Sequence, residues 1–118
     1  MFTLDVHHDA DYLLLRPRGD LDLHSCHLFR ERLTDLMREA DRPLVLDLSD
    51  LLFIDSSGLG ALLTMLRVPE ERRPRVVLSP ANGPVGRLLR TTRLDMLLTV
   101  HPSLEAALAA RAPARSAA

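Results

Sequence analysis

The sequence predicts an α/β domain built on a mixed, mostly parallel sheet of about five strands. Three observations predict it. Apolar runs of strand length alternate with stretches of helical period in the order β-β-α-β-α-β-α-β-α, which calls for crossovers between parallel strands. The run Leu44-Val45-Leu46-Asp47-Leu48 is almost continuously apolar, as a central strand covered on both faces requires. Finally, 118 residues, 47% of them hydrophobic, suffice for one core and are too few for two.

The elements follow in order. Two short β-prone runs, 2–8 and 11–17, join at Asp9-Ala10 as a hairpin. In the first, Phe2, Leu4 and Val6 alternate with Thr3, Asp5 and His7; the second contains Tyr12-Leu13-Leu14-Leu15. Gly19 punctuates the chain, and Ser25 suits a helix N-cap. From Ser25 to Ala40 the period changes: Cys26, Phe29, Leu33, Leu36, Met37 and Ala40 share one helical face, with charged residues elsewhere. Pro43 closes this helix ahead of strand 44–48. A second helix is expected from Ser56 to about Val68, with Leu59, Leu62, Leu63 and Leu66 toward the sheet. A charged connector, 70–74, leads to the sheet-type run Arg75–Ser79. Residues 85–94 read as a helix with Val85, Leu88, Leu89 and Thr92 inward, 96–100 as a last strand, and 103–111 as a last helix capped by Ser103. One domain thus spans 1–111, and the small, Pro-containing tail 112–118 is expected to be disordered.

Composition excludes several function classes. Fifteen basic residues, all Arg, stand against sixteen Asp plus Glu, so no strong field attracts a polyanion. Four aromatic residues (Phe2, Tyr12, Phe29, Phe53) give no stacking platform for bases, which disfavours direct nucleic-acid binding. No apolar run approaches the roughly 20 residues that cross a bilayer, so membrane insertion is not expected. No basic segment followed by an apolar stretch marks a signal peptide. The lone Cys26 fits a reducing, cytoplasmic setting.

The most informative stretch runs from Asp47 to Gly60: Asp47-Leu48-Ser49-Asp50-Leu51-Leu52-Phe53-Ile54-Asp55-Ser56-Ser57-Gly58-Leu59-Gly60. It reads as a buried strand, a connection, and a helix start dense in residues that suit helix N-termini. Asp55, Ser56 or Ser57 could each accept hydrogen bonds from the first orphan N–H groups. A hydroxyl there is also a good place for a phosphate, since free N–H groups and the positive dipole end would stabilise its charge. The same pattern is equally a common way simply to start a helix. Gly58 and Gly60 each cost about 0.5–1 kcal/mol relative to Ala in a helix, which suggests close backbone packing or a surface kept bare. With the leucines facing the sheet, Ala61, Thr64, Met65 and Val68 would point away, giving an outer face without charge until Arg67. Two readings stand for that face: a docking surface, or a surface covered by a neighbouring helix.

On these residues the chain resembles the STAS family, and within it the stand-alone bacterial anti-sigma-factor antagonists. Asp47–Gly60 looks like the family signature. Gly19-Asp20-Leu21-Asp22 is similar to its Gly-Glu-Leu-Asp turn, and Ser79-Pro80 with Leu88-Leu89-Arg90-Thr91-Thr92-Arg93-Leu94 to its later strand-to-helix segment. The likeness covers roughly residues 3–110. It implies a STAS-like single domain with helices chiefly on one face of the sheet. It also implies a non-enzymatic switch that uses no cofactor and no metal. Unmodified, such a protein binds an anti-sigma factor that is also a serine kinase, and the sigma factor is released. The kinase phosphorylates a serine at the start of the second helix, and a serine phosphatase resets it. By position that serine is Ser56, and Asp22 is similar to a family position near the partner and its nucleotide. Around it, Asp55, Ser57, Gly58 and Gly60 shape the helix start, with Ala61, Thr64 and Met65 as the expected contact surface. Two departures concern loops: Arg93 stands where the family has a cap glycine before leucine, and 69–74 lacks a Gly-rich turn.

The physics of the residues agrees with such a switch. A phosphoserine adds about −1.5 to −2 charges at pH 7. Next to Asp55, and with Asp20, Asp22 and Asp50 expected on the same rim, that charge would meet like charge and bury badly in an uncharged interface. Other chemistries fare worse. His24-x-x-His27 beside Cys26 lacks a second ligand pair for a metal, with Cys26 on the apolar stripe. No Gly-x-Ser-x-Gly elbow supports a hydrolase, and the absence of Lys excludes a P-loop. Arg67, Arg72, Arg73 and Arg75 read as a solvated face, or as a contact for a phosphate or an acidic partner. Two rival functions remain: a docking subunit of a membrane transport complex, and a non-phosphorylated interaction domain of a signalling assembly.

Overall fold

A computed structural model describes residues 1–80 and 83–110. Strand β1 (Phe2–His8) pairs antiparallel with β2 (Leu13–Leu21) across a tight connection. The Asp9 carboxylate accepts from Asp11 N at 3.0 Å, an Asx turn that sets the reversal. Helix α1 (Cys26–Glu39) carries the chain back to β3 (Leu44–Asp47), parallel to β2. After a three-residue connection, 48–50, β4 (Leu51–Ile54) pairs with the distal half of the same β2. Helix α2 (Ser56–Leu62) follows, winding directly into a 3-10 turn, Leu63–Arg67. Beyond a second 3-10 turn (Glu70–Arg72), β5 (Arg75–Val77) lies parallel to β3. Two short helices, α3 (Pro84–Thr91) and α4 (Leu94–Leu98), lead to β6 (Val100–His101), parallel to β5, and α5 (Leu104–Ala109) closes the described chain.

The sheet order is β1-β2-β3-β5-β6, with β4 beside β2, and only β1 is antiparallel. The larger core, on one face, joins Leu13, Leu15 and Leu46 of the sheet to Phe29, Leu33, Leu62, Met65 and Leu89 of the helices. On the opposite face Leu14, Val45 and Val77 meet Ala107 of α5. The expected α/β class, mostly parallel sheet and one-sided helices are therefore present, with α5 as the single helix on the second face among the described residues.

Three expectations change. Residues 51–54 form a strand rather than a loop, because the long β2 offers its distal edge to them. The second helix ends six residues early as an α-helix: Thr64 Oγ1 donates to Ala61 O at 2.7 Å, and the chain tightens into 3-10 geometry. Residues 96–98, expected in a strand, belong to α4. Arg93 takes φ 62°, the left-handed conformation the missing cap glycine would have favoured, and starts a new helical turn there. A short apolar run cannot be assigned to strand or helix by its period alone. Ser103 caps α5 as expected, accepting from Ala106 N at 3.0 Å. The expectation for 112–118, and the last residue of the 103–111 helix, lie outside the described residues.

Candidate functional site

The site is the junction where β4 ends and α2 begins. Asp55 is the N-cap, its backbone extended (φ −107°, ψ −173°). Its Oδ1 accepts from Gly58 N at 2.8 Å and its O from Leu59 N at 2.8 Å, the standard closure of a first helical turn. Its second oxygen, Oδ2, accepts from Leu23 N at 3.2 Å. One carboxylate therefore fastens α2 to the loop between β2 and α1.

That loop is held by its own bonds. Asp22 Oδ1 accepts from His24 N (2.9 Å) and Ser25 N (3.2 Å), and Asp22 O from Cys26 N (2.8 Å). Ser25 is the N-cap residue of α1 by position, yet its side chain does not cap. Its hydroxyl accepts from Asp22 N at 2.9 Å and has one proton to share between Asp20 O at 2.7 Å and the Asp22 carboxylate at 3.2 Å. Partial desolvation raises the Asp22 pKa. The bonds from His24 N, the Ser25 hydroxyl and Ser25 N, with the neighbouring His24 charge, outweigh it, so the carboxyl sits below the ordinary aspartate value.

Ser56, the first residue of α2, is exposed, and Ser57 is half-buried. A helix leaves its first N–H groups without intrahelical partners. Asp55 takes that of Gly58 and leaves those of Ser56 and Ser57. Gly58 is buried because the turn lies on β2: a Cβ there would overlap the carbonyl oxygen of Leu21. Gly60 is the opposite case, exposed, with nothing within 4 Å of an added Cβ.

The expected acidic rim divides in two. Asp20 faces the N-terminal ammonium at 3.6 Å, and Asp50 faces Arg16 (3.9 Å) and Arg18 (3.8 Å). Asp22 and Asp55 remain as the carboxylates of the junction, bonded by backbone N–H groups.

Compared with known proteins, the chain matches the STAS domain family model over residues 3–107. It belongs to the STAS domain family. Relatives of this STAS domain include an anti-sigma F factor antagonist from Paenibacillus polymyxa, 28% identical over 99 residues, 83% of this chain and 85% of that one. An anti-sigma-B factor antagonist from Staphylococcus aureus is 25% identical over 87 residues, covering 74% and 81%. Among solved structures, an anti-sigma factor antagonist from Mycobacterium paratuberculosis superposes with a TM-score of 0.77 over 92% of each chain at 24% identity, a likeness of fold.

One expectation about this STAS domain is overturned. Ala61, Thr64 and Met65 do not form an outer contact surface: they are 0%, 6% and 1% exposed. Helix α1 lies across α2 and the 3-10 turn and covers that face. The same face explains why Leu59, Leu63 and Leu66 are only half-buried. The exposed apolar side chains on the elements joined at the junction are instead Leu23, whose N–H donates to Asp55, and Phe53 of β4, 68% and 51% exposed. Sequence reasoning missed both, since Leu23 sat in a turn and Phe53 in what read as a connection. The signal was there in Leu51-Leu52-Phe53-Ile54, four β-favouring or apolar residues following a Ser-Asp turn. Among the described residues no group of three or more His, Cys, Asp or Glu could hold a metal, and His27 instead lies 3.5 Å from Glu31. No helix among them is long and apolar enough to cross a membrane.

Proposed function

We propose that this STAS domain is an anti-sigma-factor antagonist, a non-enzymatic binding module switched by phosphorylation of Ser56. In this reading the unphosphorylated protein binds an anti-sigma factor with serine kinase activity and so frees the sigma factor, and a serine phosphatase restores it. The observation that carries the reading is Ser56 itself: an exposed hydroxyl at the first position of α2, directly after a cap that does not need it. The antagonist relatives support the partner class.

The mechanism follows from charge. A phosphate on Ser56 adds about −1.5 to −2 charges within reach of the free N–H groups of the helix start, so α2 does not melt. The same charge stands next to Asp55, whose carboxylate is bonded to the loop that carries Asp22 and the exposed Leu23, and three residues after the exposed Phe53. A partner pressed onto those two side chains would have to bury it unpaired, and loss of about 1.4 kcal/mol already weakens binding tenfold. Leu23, Phe53, Asp22 and Ser57 are the contact residues of this reading, while Asp55 and Gly58 hold the geometry and Gly60 leaves the outer side of the turn bare.

The test is peptide mass spectrometry after incubation with ATP and an extract of the source cells, with Ser56→Ala as control. A phosphate on Ser56 that vanishes in the variant is expected. An unmodified Ser56 in several active extracts would overturn the switch.

A further inference from the structure

A second surface lies away from the junction, between α1 and the 3-10 turn that continues α2. It is a groove of about 300 Å³. Its floor is apolar, with buried Met37 and half-buried Val68. Four arginines line its walls, Arg30 and Arg38 from α1, Arg67 and Arg72 from the opposite side. Among the described residues no acidic one lines it. Arg30, Arg67 and Arg72 have no ion pair among the described residues, and Arg30 is half-buried without one. Arg38 has only an exposed contact with Asp35 at 4.0 Å. By contrast, Arg73 and Arg75 nearby are engaged with the backbone: Arg73 with Val68 O at 3.0 Å, Arg75 with Ala107 O and Leu108 O at 3.0 and 3.1 Å.

We infer that this groove binds an acidic segment of a protein partner, one apolar side chain on the floor and carboxylates on the arginine walls. Charge complementarity fixes the sign of the ligand, since four arginines, three of them without an ion pair among the described residues, gather here in a chain of net charge −1. Length fixes its extent. Arg30 and Arg38 stand eight residues apart on one helix, about 12 Å along its axis, so their anions are spread along a ligand and not gathered on one small ion. An extended peptide with acidic residues at positions 1 and 5 spans about 13 Å and turns position 3 toward the same side. The apolar floor then receives position 3. A sugar-phosphate backbone has no group for that floor, and none of the aromatic residues lines the groove for base stacking. Arginine suits the task because its planar fork pairs with carboxylates in two-point fashion. The surface is separate from Ser56, which lies eight residues before Thr64, about 12 Å by helical rise, and the inference does not rest on phosphorylation.

The test uses the full chain and a fluorescein-labelled peptide, Glu-Ser-Leu-Ser-Glu, followed by fluorescence anisotropy. Saturable binding that weakens with salt is expected. It should fall by about tenfold or more in Arg30→Glu/Arg67→Glu, because hydrogen bonds to charged groups are lost. Circular dichroism checks that variant, and Arg67→Ala/Arg72→Ala serves if it misfolds. Replacing the peptide's Leu by Ser should also weaken binding. Failure to saturate at millimolar peptide, or equal binding by the charge-reversed protein, would overturn the inference. So would an oligothymidylate that binds as tightly, since the groove would then be a general polyanion site.

Discussion

The two halves of the α2 segment look alike on paper and live in different environments. Ser56-Ser57-Gly58 and Ala61 to Met65 are both runs of small or uncharged residues. At the first, the chain has just left β4, the cap comes from Asp55, and a hydroxyl faces solvent. At the second, α1 crosses and buries the face that would otherwise resemble a docking surface. The lesson is that a charge-free helical stripe reports burial without saying what buries it. Which side is open is decided by a neighbour more than twenty residues away in sequence.

The contrast can be broken by substitution. Met65→Ala carries the largest expected effect, a loss of about 2–5 kcal/mol, because it empties a site that is 1% exposed. Denaturant midpoints measure it, and a change under about 0.5 kcal/mol would return Met65 to the surface. The glycines sharpen the same line. Gly58→Ala should destabilise by about 1–3 kcal/mol, since the methyl group meets the Leu21 carbonyl. Gly60→Ala should stabilise by about 0.4–1 kcal/mol, because its space is open and the unfolded chain loses freedom. Opposite signs two residues apart would mark where packing ends.

Asp55→Ala removes the cap and should cost about 0.5–2 kcal/mol in thermal or denaturant unfolding. It should also raise hydrogen exchange at Leu23 N, whose acceptor it deletes; unchanged exchange there would detach the loop from the helix start. The smallest effect is with pH. The Asp22 carboxyl is held below the ordinary aspartate value of about 3.9, so the stabilisation it gives is fully present above that pH. It is lost as pH falls further, through the lowered value. Carboxyl carbon shifts should show Asp22 protonating below the ordinary aspartate value, and a midpoint at or above it would remove this contribution.

Much of this was legible in the chain. Period changes gave the order of the main strands and helices, and Asp55-Ser56 stood out because residues that suit helix caps followed a buried strand. What escaped depended on tertiary partners. β4 exists because β2 is long enough to pair with β3 at one end and with β4 at the other. Ser25 looked like a cap and became a clamp on Asp20 and Asp22, since the loop it joins curls back over it. Arg93 adopts a glycine-like conformation at the position where the family carries a cap glycine, although an arginine does not favour it.

The two oxygens of Asp55 have a consequence for how a change at Ser56 would spread. Oδ1 belongs to the helix and Oδ2 to the loop that presents Leu23. A new anion that drew the Gly58 N–H to itself would leave the carboxylate free to rotate, and the loop's tether would slacken with it. Chemistry on one hydroxyl would then reach an apolar side chain on another element through a single intervening group. No hinge and no sliding helix is required, only an exchange of acceptors across one residue.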